Sequence, residues 1–161
     1  MTIKAESIPE CWKSTRLIHI SYTAGMISIY SILLSITEFS SHKSFSNGNP
    51  EIIFTYIAMA LIVVAIFIID WLFKKHLRKL RQKENLLEKI KGYRSAFSIK
   101  LGIVNIIFLI NAIYFGFSGN PLIAGMMFPI FLYTAANLPL KKVFVSKMNL
   151  KTEEETTFIN A

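Results

Sequence analysis

Apolar and polar positions do not alternate along this chain at the period of a strand. They fall into blocks. Four apolar blocks, Leu17–Thr37, Ile52–Phe73, Phe97–Phe117 and Pro121–Leu140, are separated by polar or charged stretches. Each is near the length of about 20 helical residues that crosses a bilayer. Within the second, Ile57 to Ile69 carries no polar side chain at all. Lipid offers no partner to an unpaired backbone amide, so such blocks predict helix. A β-barrel would need many alternating strands of about ten residues, a pattern this sequence lacks. The reading is therefore all-α, an integral membrane bundle of four transmembrane helices, with two tandem helical hairpins as the arrangement to test. The first block exceeds the 7–15 residues of a signal-peptide core and no A-x-A site follows, so it is expected to be kept as a span.

Composition agrees with the pattern. Of 161 residues, 53% are apolar and 17% charged, with a mean hydropathy of +0.46. A soluble domain carries about 25% charged residues. An ordinary soluble enzyme domain, a disordered tail and a disulfide-stapled module are all excluded on these grounds. The one cysteine, Cys11, cannot form an internal disulfide and reads as the thiol of a short flank rather than a nucleophile.

Charge then orients the blocks. The stretch from Lys74 to Lys100 holds ten Lys or Arg and two Glu, and so carries the chain's entire net charge of +8. The N-terminal flank has Lys4, Lys13 and Arg16, and the C-terminal flank has Lys141, Lys142, Lys147 and Lys151. Between Glu38 and Glu51 the only basic residue is Lys43, and Ser118-Gly119-Asn120 has none. Basic and poor flanks alternate, which by the positive-inside bias puts both termini and the linker in the cytoplasm. The chain divides into a flank (1–16), a first hairpin (17–73), a basic amphipathic linker (74–96), a second hairpin (97–140) and a tail (141–161).

In the linker, Leu77, Leu80, Leu87 and Ile90 recur at helical spacing, with Gly92 as a stop. It is expected either to continue the second span or to lie on the anionic inner leaflet, with acidic lipid headgroups as partners. Its basic residues are not interleaved with aromatics on a folded face, so nucleic acid is not expected. Thr152 and Glu155 fit a capping box opening a short terminal helix.

The halves also look alike. Ser46-Asn47-Gly48-Asn49-Pro50 opens the second span and Ser118-Gly119-Asn120-Pro121 the fourth, each an Asn cap before Pro. The spans then end in Lys74-Lys75 and Lys141-Lys142. Duplication and convergence both account for this. Under duplication, a pseudo-twofold axis would run along the membrane normal.

Polar residues inside spans need partners. His19, Asp70, Lys100 and Asn137 all lie roughly 3–5 Å inside the cytoplasmic edge at 1.5 Å per residue. The cheaper arrangement has Lys100 snorkelling to the interface and Asp70 reaching Lys74 one turn on, with Trp71 in an aromatic belt. The sharper one is a cross-helix cluster in which Asp70 pairs with Lys100 or protonated His19. Deeper in, Asn105 and Asn111 are expected to bond across helices. Ser21, Gly25, Ser28 and Ser35 form a face of small residues on the first span, and Ser98/Gly102 and Ala112/Gly116 do so on the third. Such faces allow close packing, within the bundle or between copies. A water-lined path along Ser21, Gly25, Ser28 and Asn105 is the alternative. Pro129 is expected to kink the fourth span.

Chemistry is sparse. There is no mid-span acid and no HExxH, CxxC, GxSxG or P-loop. His19, His42 and His76 fall on different sides or depths, so no metal site, haem or other cofactor is implied. Tyr93-Arg94-Ser95-Ala96, Asn137-Leu138-Pro139-Leu140-Lys141-Lys142 and Lys151-Thr152-Glu153-Glu154-Glu155 resemble segments of small four-span bacterial inner-membrane proteins with no assigned activity. The tandem hairpins are faintly similar to the proteolipid c-subunits of rotary ATPases. Those need a mid-span carboxylate where this chain offers Asn105, or Ala24 and Gly25, so no ion translocation is carried over. The expected function is non-enzymatic. The chain would act through helix–helix contacts, as a homo-oligomer or an accessory subunit. A small transporter or pore, or a membrane effector reading lipid or nucleic acid through the basic linker, are the alternatives.

Overall fold

The computed structural model describes residues 7–39, 49–118 and 121–160, with side chains for 7–35, 55–117 and 123–160. His42, Lys43 and the turns holding Ser46-Asn47-Gly48 and Gly119-Asn120 lie outside the described residues, as do the side chains of Asn49, Pro50 and Pro121. Among the described residues there are helices and no strands: α1 (Ile8–Phe39), α2 (Asn49–Arg81), α3 (Leu86–Ser118), α4 (Pro121–Ala136), α5 (Lys141–Met148) and α6 (Thr152–Asn160). Three helices are long and apolar enough to cross a membrane. There are up to four if α4 and α5, bent by 80° at their junction, count as one span.

Local chemistry explains where the helices begin and end. At α1, Glu10 accepts hydrogen bonds from the amide (2.9 Å) and hydroxyl (2.8 Å) of Ser7, while the Cys11 amide donates to the Ser7 carbonyl (3.0 Å). This is a capping box, and it starts the helix three turns before the apolar block. α2 and α3 are each 33 residues, about 50 Å at 1.5 Å per residue, well beyond the hydrocarbon thickness of about 30 Å. The basic linker is thus not a separate element. α2 runs through it to Arg81, a turn at 82–85 reverses the chain, and Asn85 Oδ1 accepts the Leu87 amide at 2.9 Å to cap α3. Gly92, expected as a stop, lies inside α3. A side chain there would drive into Leu80 of α2, so this glycine lets the two helices approach.

α4 ends at Ala136, four residues before the expected Leu140. Pro139 has no amide to give and disfavours helix at Leu138. Asn137 caps the break, its Nδ2 donating to the Tyr133 carbonyl at 2.7 Å. Pro129 lies within α4. The capping box expected of Thr152 and Glu155 does not form, since Thr152 is already the first helical residue; Glu154 Oε2 instead accepts the amide of Lys151, the residue before the helix, at 3.2 Å.

α3 is the central helix, packed by α1, α4 and α2. α3 and α4 pack on each other, whereas α1 packs on α3 rather than on its chain neighbour α2. The two halves therefore differ in packing. Gly102 and Gly116 of α3 face Tyr22 and Leu33 of α1, so small residues do sit at this closest seam.

Two cores result. One, around Met26, Val104, Phe108, Met127 and Ile130, lies within the apolar blocks. The other lies at the basic end and is aromatic. Trp12 packs against Phe158, Phe144 and Tyr93, with ring centres 5.0, 5.4 and 6.2 Å apart. Residues read as a flank and a tail thus close a second core with α2 and α3, and Cys11 is fully buried in it. An ion pair holds α6 to α3: Lys89 Nζ lies 2.6 and 2.9 Å from the two carboxylate oxygens of Glu154, with both side chains mostly buried.

Candidate functional site at the basic end of the bundle

The polar residues at the basic edge come from four elements. Lys100 of α3 is buried, its side chain 3% exposed. Its Nζ lies 2.7 Å from Asp70 Oδ1 of α2 and donates to Asn137 Oδ1, just after α4, at 2.9 Å. The Tyr133 hydroxyl of α4 donates to the same Asp70 oxygen at 2.7 Å. Lys100 Nζ also lies 5.0 Å from the ring centres of both Phe73 and Tyr133. A buried ammonium is costly unless paired and hydrogen-bonded. Here one carboxylate, one amide oxygen and two aromatic faces answer it. Lys100 therefore does not snorkel, and Asp70 is held across helices rather than by Lys74 alone.

His19 stands apart. Its Nε2 is 2.9 Å from the Thr134 carbonyl, its ring stacks on Phe97 with centres 6.1 Å apart, and its Nδ1 is buried without a protein partner. The structure thus brings Asp70, Lys100 and Asn137 together and leaves His19, on α1, bonded instead to the Thr134 carbonyl of α4. Tyr133 is the member that sequence reasoning passed over. Its position four residues before Asn137, on the same helical face, was the available signal.

The residues expected to pack or line a path are placed differently. Ser21 and Ser28 are exposed on the side of α1 away from α3, and a side chain at Gly25 would meet open space. The Ser28 hydroxyl bonds back to the Ala24 carbonyl at 3.0 Å, and Ser35 to Ser31 at 3.0 Å. Asn105 is half-buried. Asn111 is buried, but its amide donates to the Ile107 carbonyl of its own helix at 2.8 Å rather than across helices. Among the described residues, no three His, Cys, Asp or Glu side chains assemble to hold a metal ion.

Beside the charged cluster opens a cleft of about 370 Å³ between α2, α3 and α5. Its ionisable lining is Asp70, Lys74, Arg78, Arg81, Lys100 and Lys147, five cations to one acid. The stripe Asp70, Lys74, Arg78 and Arg81 follows one face of α2 at three- and four-residue steps. Arg81 Nε donates to the Lys147 carbonyl at 2.8 Å and ties the end of α2 to α5. The helix extension beyond the apolar block creates this cleft, since without it Arg78 and Arg81 would not stand over α5. Lys147 was legible only as one more basic residue of the tail. No protein-family model, curated protein or solved structure matches the chain.

Proposed function

We propose that this chain is a non-enzymatic, four-span protein of a bacterial inner membrane, with both termini in the cytoplasm, that works through helix–helix contacts as a homo-oligomer or an accessory subunit. The observation that carries the reading is the outward turn of the small-residue face of α1. Ser21, Ala24, Ser28 and Ser35 are exposed, and their side chains are short enough for a second helix to approach closely. The hydroxyls of Ser28 and Ser35 are already bonded within α1, so neither presents an unpaired donor to lipid or to another helix. The same observation weakens the transport reading, because two positions of the supposed path lie on the outer surface.

Cysteine cross-linking tests it. In a Cys11→Ser background, Ser21→Cys, Ser28→Cys and Ser35→Cys should each give a cross-linked species in native membranes under mild oxidation. Val64→Cys, exposed on α2, should not. A product of twice the chain's mass indicates a homo-oligomer, and one of another mass an accessory role. Monomer alone at all three α1 positions overturns the reading.

A further inference from the structure

We propose that the seam between α2 and α4–α5 is a binding site for one phosphate-bearing amphiphile, with its anionic head in the cationic cleft and its acyl chain laid past the Asp70–Tyr133 pair into the apolar groove on the same face of α2. The inference rests on the membrane placement proposed above and is independent of self-association.

Two cavities lie along the same face of α2, with the Tyr133–Asp70 hydrogen bond crossing the seam between them. The groove, about 430 Å³, runs between α2 and α4 and is walled by Met59, Ile62 and Ile66 on one side and Gly125, Met126 and Pro129 on the other. The α2 positions 59, 62, 66, 70, 74 and 78 follow one another at three- and four-residue steps, so groove and cleft share a face of that helix. On α4, Met126, Ile130, Tyr133 and Asn137 do the same. From Ile66 to Lys74 the axis rises about 12 Å, within the about 15 Å that one leaflet contributes to a 30 Å hydrocarbon layer. A molecule whose charge sat at Lys74 would therefore reach Ile66 and Pro129 with its acyl chain, beyond the ester linkages.

The groove is open because residues on α4 keep it so. Gly125 has no side chain, and a Cβ built on it meets nothing within 4 Å. The cleft selects the head. Asp70, its one acid, is occupied by Lys100 and Tyr133, each at 2.7 Å, so its charge is answered inside the bundle. Lys74 and Arg78 are exposed at the cleft's lining, joined by Lys147 and by Arg81, whose Nε is held by the Lys147 carbonyl. Arg and Lys on a concave, partly buried surface suit phosphate oxygens, and Arg adds a planar pair of donors. A zwitterionic head would bring a cation into the same space and be repelled.

The test uses the full chain in mild detergent. The probes are dihexanoyl phosphatidic acid, dihexanoyl phosphatidylcholine and inorganic phosphate, with binding followed by calorimetry and folding by the melting curve. Saturable binding of the phosphatidic acid, tighter than that of the other two, is expected. The exposed Arg78→Gln and Lys74→Gln should each weaken it about tenfold, the loss of one charge-assisted contact. Gly125→Leu, which fills the groove, should weaken phosphatidic acid while leaving inorganic phosphate unchanged. If inorganic phosphate binds as tightly and Gly125→Leu has no effect, the site takes a soluble anion and the amphiphile proposal fails. If Lys83→Gln or Lys91→Gln, outside the cleft, weakens binding as much as Arg78→Gln, the attraction is general surface charge and the site is refuted. A protein that stays monomeric in cross-linking yet binds the lipid would sink the assembly reading and leave this one standing.

Discussion

Lys100 shows what a single residue costs and what answers it. Its side chain is almost wholly buried, while Asp70 remains about a third exposed (34%). The two ends of the pair should therefore respond unequally. Asp70→Asn strands a buried ammonium with amide and phenol partners and should lower stability by about 1–3 kcal/mol. Lys100→Met leaves a carboxylate that water can still reach and should cost less. The double variant should recover much of the Asp70→Asn loss, because both charges are then gone. Melting in detergent of the two single variants and the double checks this, and strictly additive losses would show that the pair is not coupled. Asp70, Lys100 and Asn137 were conspicuous in the sequence because each is a polar residue in an apolar block. Their partnership was one of two arrangements the sequence left open, and the cheaper one, with Lys100 snorkelling, is not what the structure has. A period places a side chain on a helix face, but it does not say which neighbouring helix that face meets. His19 illustrates the gap, since it lies at the same depth yet bonds the Thr134 carbonyl.

At the scale of elements, the chain ends matter more than their polarity suggests. α6 carries three glutamates in its first turn and holds on through Phe158 and the Lys89–Glu154 pair. Burial pushes the Glu154 carboxyl up, but the hydrogen bonds from Lys89 and the Lys151 amide outweigh it and hold the group below its ordinary value of 4.5. A carboxyl lowered on folding contributes stability that is complete above its unfolded value and is lost as pH falls through the folded one. Docking of α6 should thus be pH-independent near neutrality and weaken below about pH 4.5. Amide exchange in residues 152–160 reads it. Glu154→Gln should raise exchange at neutral pH and abolish the acid dependence, and an unchanged acid profile in that variant would contradict the assignment. The helix starts were partly legible: Ser7-Ile8-Pro9-Glu10 is a capping box with an early proline, three turns ahead of the apolar block that drew attention. The end of α4 was legible too, in Pro139, but the apolar run through Leu140 masked it.

For the whole molecule, the placement of charge makes a claim about sides. Arg81, Lys83, Lys141 and Lys147 belong to the same end of the bundle as Trp12 and Phe158. A cysteine placed between residues 45 and 48, in a Cys11→Ser background, should react with a membrane-impermeant thiol reagent in intact cells. One at Lys83 should react only after lysis. The reverse pattern would overturn the orientation. The unequal packing of the halves also belongs to this scale. Among the described residues α3 takes both α4 and α1, the latter on the seam where Gly102 and Gly116 allow close approach.

Sequence alone determined where the long apolar helices lie and which end of the molecule is basic. Both are sums over neighbouring residues: transfer from water to hydrocarbon adds up along a segment, and charge adds up along a loop. Tertiary structure decided which faces meet. It placed α1 on α3, turned Ser21 and Ser28 outward, closed the aromatic core between Trp12, Phe144 and Phe158, and set Lys147 opposite Arg81. The physical reason is that one apolar helix face is much like another to lipid. Hydrophobicity cannot choose among them, and the choice falls to close packing and to a few hydrogen bonds between residues distant in the chain.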